Sequence, residues 1–288
     1  MKAKSVFKEL HDRLSSFQIT RASNRNFDLT LTEEELEREL MNDLGSNRLL
    51  ERFSEKEVAA ALKNYQVWDQ LAEKGYQNPR LLIRSIDPFR QSVKIIDDAA
   101  SPEDEKHTLC ELRVFDAHLK GPCPATNEII ELDALVIDWL VFQNPRAKFT
   151  ASRPQLPGQK YPGLGIMARC MTAILDLAKQ TGKEAVINIP EYYHNAVLYT
   201  PAFSFFSPFV EGRFQALQEF LSGLSLAEAS HAVTNRKIWN HTKNEQFVWK
   251  PHEQMLGISP EIKEYFESET YKTPVREAKE KSKFSLKT

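Results

Sequence analysis

The sequence predicts an α+β protein, and three features carry that reading. The first 75 residues show helical periodicity with capping signals, and residues 80–142 are short β-rich runs between turn clusters. A glycine-containing turn at 158–165 then leads into a long helical pattern and a brief apolar run.

Taken in order, "SVFKELHDRLSSFQ" (5–18) places Val6, Phe7, Leu10, Leu14 and Phe17 on one helical face. In "TLTEEELERELMNDLG", Thr32 and Glu35 form a capping box and Gly45 a stop. "FSEKEVAAALKNYQVWDQLAEKG" repeats the pattern as one helix, with Ser54 and Glu57 as the box, Val58, Leu62, Tyr65 and Leu71 as the face, and Gly75 as the end. The runs "PRLLIRSID", "QSVKIID", "TLCELRVFDAHL" and "IIELDALVIDWLVF" predict three or four antiparallel strands. Ala134–Phe142 is apolar throughout except for Asp138, the pattern of a central strand buried on both faces.

After a proline-rich loop, "IMARCMTAILDLAKQTG" reads as a helix with Ile166, Cys170, Ala173, Ile174 and Leu177 as its apolar stripe. "EAVINIP" is a short buried strand, "EYYHNAVLYTPA" a short helix and "FSFFSPF" a strand. From Arg213 the chain reads as helical, with a Ser225/Glu228 box and Pro260 at a first helical position. The lysine-rich stretch 271–288 reads as a disordered tail. The expected division is a helical segment at 1–78, a core at 79–212, a second helical segment at 213–270 and the tail.

Composition narrows the function. A net charge of −2 gives no basic field for nucleic acid. Three scattered cysteines fit a reducing compartment rather than a disulfide framework or a zinc site. The N-terminus lacks the apolar region of a secretory signal, and no apolar run approaches the ~20 residues of a membrane span. A cytoplasmic location is the resulting expectation. His107, Cys110, Asp116 and His118 fall partly on opposite faces of an extended strand, so no metal site is expected there. Neither G-x-S-x-G nor G-x-x-x-x-G-K-[ST] occurs, against a hydrolase elbow and a P-loop.

The chain has ten glycines, yet Gly158, Gly163 and Gly165 stand together just before a helix. Two readings follow from the residues alone: a tight strand-to-helix turn, or an anion site where backbone amides at a helix start meet phosphate. The order strand, "KYPGLG", helix, "EAVINIP", then Leu198-Tyr199 resembles the GNAT superfamily of acyl-CoA-dependent N-acyltransferases over about residues 79–209. That family carries Arg/Gln-x-x-Gly-x-Gly/Ala at this turn. Lys160, Gly163 and Gly165 match it with lysine in the first position, and "FSFF" replaces a later Gly-Phe. The loop from Gln143 to Gln159 is longer than the family norm, and Tyr192 stands where an asparagine is usual.

The resemblance implies a GNAT-like mixed sheet with flanking helices and acetyl-CoA as cosubstrate. It implies cofactor contacts from Val141, Phe142, Lys160, Tyr161, Gly163, Leu164, Gly165 and Ile166, with further charge available from Lys148 and Arg153. An amine would attack the thioester, and Tyr199 would protonate or orient the leaving thiolate. Asp138, alone in its apolar strand, and Glu191 are the candidate bases, with His194 as a rival. The partners implied are acyl-CoA and an amine acceptor that nothing in the sequence names. Two other readings remain: a non-catalytic GNAT-like module that binds acyl-CoA or a partner protein, and a helical interaction protein whose sheet is scaffold.

Overall fold

The structure is a computed structural model that describes residues 14, 17–21, 48–87, 89–97 and 105–287. Helices expected at 5–18 and around the Thr32/Glu35 box lie almost wholly outside these residues. Thirteen strands are described: β1 (Gln18–Arg21), β2 (Arg48–Leu49), β3 (Phe53–Ser54), β4 (Arg80–Ser85), β5 (Gln91–Ile96), β6 (Thr108–Pro122), β7 (Ile129–Phe142), β8 (Ala185–Asn188), β9 (Ser204–Phe205), β10 (Ile238–Asn240), β11 (Glu245–Gln246), β12 (Gln254–Gly257) and β13 (Phe284–Leu286). Eight α-helices accompany them among the described residues: α1 (Glu55–Asn64), α2 (Val67–Glu73), α3 (Met167–Gln180), α4 (Tyr193–Tyr199), α5 (Pro208–Phe220), α6 (Leu226–Thr234), α7 (Pro260–Glu267) and α8 (Glu269–Lys281). The class is mixed α+β.

One mixed sheet organises the fold, in the order β4-β5-β6-β7-β8-β12-β9, with β1 pairing the far half of β6. Strands β4 to β7 are successive antiparallel neighbours, as their alternating runs predict. β7 and β8 are parallel, and the long connection between them contains α3. Both sheet faces are covered. Leu112, Val114, Leu135, Ile137 and Val186 pack with Val67 and Leu71 of α2 and Ile174 of α3. Ala117, Leu132, Ala134, Val136 and Ile187 pack on the other side with Ile262, Tyr265 and Phe266 of α7.

Four expectations need correction. The single helix read over 55–74 is two helices, because Gln66 adopts a left-handed φ of 57° between them. Arg169 Nη1 holds that break through the Gln66 side chain at 2.7 Å. The N-terminal region also holds strands β1, β2 and β3. Past Arg213 the chain is not only helical, since β12 enters the main sheet between β8 and β9. Residues 269–281 form α8 and residues 284–286 form β13, so the stretch from 271 to 286 is ordered where a disordered tail was expected. Tyr271 and Val275, four apart and therefore on one helical face, bury that helix.

Candidate functional site at the glycine turn

The turn sits where β7 and β8 part. Their parallel pairing runs from Ala134–Ala185 to Ile137–Asn188 and stops there, while β7 continues to Phe142. A bulge marks the same point. Ile137 faces Val114 and Trp139 faces Arg113, so Asp138 is the extra residue of the bulge. Leu135 and Ile137 belong to one core cluster, and after the bulge Leu140 and Phe142 pack against that same cluster. The alternation therefore slips by one residue at Asp138.

The returning loop is strung along the end of β7. Asn144 N–H donates to the Pro162 carbonyl at 2.8 Å, and Leu164 N–H to the Phe142 carbonyl at 3.3 Å. Gly163 bridges Gln143, and Arg153 Nη2 donates to the Gly163 carbonyl at 2.8 Å. Phe142, Gly163 and Leu164 are thus brought together. Leu164 and Ile166 are buried and anchor the turn. Gly165 between them is exposed at φ 75°, and a Cβ there would have no described atom within 4 Å. Ile166 is the N-cap residue of α3 and supplies no side-chain cap. The helix start therefore has no side-chain cap among the described residues, and its first amides carry the positive end of the helix dipole. Lys160 and Lys148 are exposed in the same loop, and Tyr161 and Val141 are half-buried.

Tyr199 ends α4 and packs against the cluster that contains Leu164 and Ile166, with its ring edge-on to Phe203 at 5.5 Å. Its hydroxyl makes no hydrogen bond among the described residues, and burial pushes its pKa well up, so the phenol stays protonated at neutral pH. Asp138 is buried as expected but is engaged by Arg90 Nη1 at 3.4 Å, and Arg90 Nε also holds Asp87 at 2.6 Å. Glu191 is exposed at the start of the α4 segment. His194 is 3% exposed and stacks on Tyr192. Burial and the charge of His231 lower its pKa to about 4, so it is neutral at physiological pH.

Three buried polar side chains near this point lack partners, and two of them, Asn188 and Gln254, escaped the sequence reading. Asn188 Oδ1 and Nδ2, Gln254 Oε1 and His194 Nδ1 have no hydrogen-bond partner among the described residues. Asn188 and Gln254 are register partners at the ends of β8 and β12. The only sequence signal for the first is a polar residue closing the apolar run "AVIN". Two cavities lie away from the turn. One, of about 380 Å³ between α1, α3 and the sheet, shares Phe142 with the expected cofactor contacts. The other, of about 300 Å³, lies beside α5. Neither includes Gly163, Gly165 or Tyr199 in its walls. No helix among the described residues is long and apolar enough to cross a membrane. Compared with known proteins, the chain matches no family model and no curated protein.

Proposed function

We propose that the chain is a GNAT-like N-acyltransferase that binds acyl-CoA, most simply acetyl-CoA, and passes the acyl group to an amine. The observation that carries this reading is the uncapped start of α3 behind the exposed Gly165, at the point where two parallel strands stop pairing. A pyrophosphate there would meet several unpaired amides and the helix dipole, with no side chain at Gly163 or Gly165 to hold it off. Lys160 adds a point charge. Tyr199, protonated and without a protein partner for its hydroxyl among the described residues, is the group suited to give a proton to the departing thiolate. Glu191 is assigned as the base, because it is exposed at the start of the α4 segment whereas Asp138 is buried and engaged by Arg90.

The amine would attack the thioester carbonyl carbon and lose a proton to Glu191, directly or through water. The C–S bond breaks, and the thiolate takes its proton from Tyr199. Calorimetry with CoA and acetyl-CoA tests the reading. Saturable binding of both supports it, and the absence of binding overturns it. The second reading is a non-catalytic acyl-CoA module, favoured by the pairing of Asp138 with Arg90. Binding of acetyl-CoA without transfer to any of a panel of amines and lysine peptides would establish that one instead.

A further inference from the structure

The cavity beside α5 is built from two kinds of side chain. Its apolar wall is aromatic: Phe205, Phe214 and Trp249 lie with ring centroids 5.1 to 6.4 Å apart, and Phe247 completes it. Its basic groups are Arg213, Lys243, Lys250 and His252, with Glu245 as the one acid in the lining. Glu245 already has Lys243 at 3.8 Å. Arg213 is half-buried and makes no ion pair or side-chain hydrogen bond among the described residues. The neighbouring carboxylate of Glu211 is turned away, accepting from Phe205 N–H at 2.9 Å and Gln215 Nε2 at 2.7 Å. Burial disfavours the charge on Arg213, and His252 is held below its ordinary pKa by burial and by the charges of Arg213 and Lys250. The Arg213 guanidinium therefore lies in a partly desolvated space with no carboxylate paired to it among the described residues, beside the half-buried His252 and the exposed Lys250, an arrangement that costs stability until an anion arrives.

We propose that this cavity binds a small ligand carrying one carboxylate or phosphate group on a flat apolar ring, with Arg213 as the principal anion contact. The rings take the flat body, and the guanidinium offers a planar fork that fits either anion. A volume of about 300 Å³ suits a ligand of one or two rings. The site is formed by β9, α5 and the segment from β10 to His252, and it is independent of the acyl-transfer reading.

Calorimetry on the full chain with benzoate and adenosine 5′-monophosphate, beside the neutral benzamide and adenosine, tests the proposal. At least one anion should bind at least tenfold more tightly than its neutral counterpart. Benzoate alone would identify a carboxylate ligand, and the nucleotide alone a phosphate. The His252 imidazole, followed by NMR and assigned with His252→Gln, should titrate at higher pH in the bound state. Arg213→Met should weaken anion binding at least tenfold while the ligand-free melting temperature holds or rises, because an unpaired half-buried charge is removed. Arg213→Lys keeps the charge without the planar fork and should weaken binding severalfold, which retains a test if the methionine variant does not fold. The proposal is overturned if neither anion binds up to about 10 mM, if the neutral compounds bind equally, or if both Arg213 variants bind like the parent.

Discussion

At Tyr199 the decisive property is a hydroxyl on a half-buried ring that stays protonated and has no protein partner among the described residues. If it supplies the leaving-group proton, Tyr199→Phe should lower turnover by roughly 10²-fold or more while acetyl-CoA affinity barely changes. Unchanged turnover per folded molecule would make the ring a packing element. Gly163 gives the matching test of binding. A Cβ there would meet only the Phe142 carbonyl oxygen at 3.9 Å, an ordinary contact, so Gly163→Val should fold. Its affinity for CoA should nevertheless fall more than tenfold, or about 1.4 kcal/mol, and equal affinity would remove this loop from consideration. Gly165 is a poorer probe, because its φ of 75° strains any substitute. His194 carries a pH prediction. Its folded pKa of about 4 lies below the ordinary 6.5, so the unfolded chain binds the extra proton between those values. The stability this group contributes is complete above pH 6.5 and is lost as pH falls toward 4, on the order of 3 kcal/mol in all. His194→Gln should flatten the fall in melting temperature between pH 7 and 5, and an unchanged slope would refute the assignment. The turn glycines, Tyr199 and the oddity of Asp138 were legible as residue types. The pairing of Asp138 with Arg90 was not, because a partner 48 positions away leaves no local mark.

Among the elements, α8 shows why sequence periodicity can mislead. Pro274 lies inside the helix, and lysines and glutamates fill most of its surface, so the stretch looks like a solvated tail. Its burial rests on few residues. Ser268 caps it, Tyr271 donates its hydroxyl to the Phe205 carbonyl at 2.6 Å, and Val275 packs against α5. That last contact is possible because residue 212 is glycine. A Cβ at Gly212 would stand 2.3 Å from the Val275 carbonyl oxygen and 2.8 Å from the Ala278 Cβ. Gly212→Ala should therefore push the two helices apart and destabilise the protein by about 2 kcal/mol or more, despite the better helix propensity of alanine. Chemical denaturation measures this directly, and a neutral or stabilising result would mean that α8 does not pack on α5 as described. The capping boxes of α1 and α6, by contrast, were readable in advance. Ser54 with Glu57 and Ser225 with Glu228 form the reciprocal bonds that their spacing predicts, since such a box needs only four consecutive residues.

For the molecule as a whole, the order of the main sheet decides which parts can stand alone. The antiparallel run from β4 to β7 was legible because each strand follows its neighbour closely, and one helix is all that separates β7 from β8. The place of β12 was not. "QMLG" is four residues long and lies 66 positions beyond the end of β8, to which it pairs from Gln254–Asn188 to Gly257–Ala185. Its other edge holds β9 through Phe205 and Ser204, so β8 and β9 are joined only by this late strand. A chain ending at residue 212 would thus leave the far edge of β8 without backbone partners and would uncover Ile187, Phe206 and the other residues that pack with Met255. It would also lose Ile262, Tyr265 and Phe266 from that face. The expected division at 212 therefore cuts through one core, and residues 79–212 should not fold by themselves. Expressed alone, that segment should show no cooperative thermal transition, whereas the full chain should lose its sheet in one step. Adding residues 213–287 as a separate polypeptide should restore the transition if the missing strand and helices are the cause. A cooperative melt by the 79–212 segment alone, with the strand content of the full chain over those residues, would show instead that β12 is an addition to a sheet already complete without it.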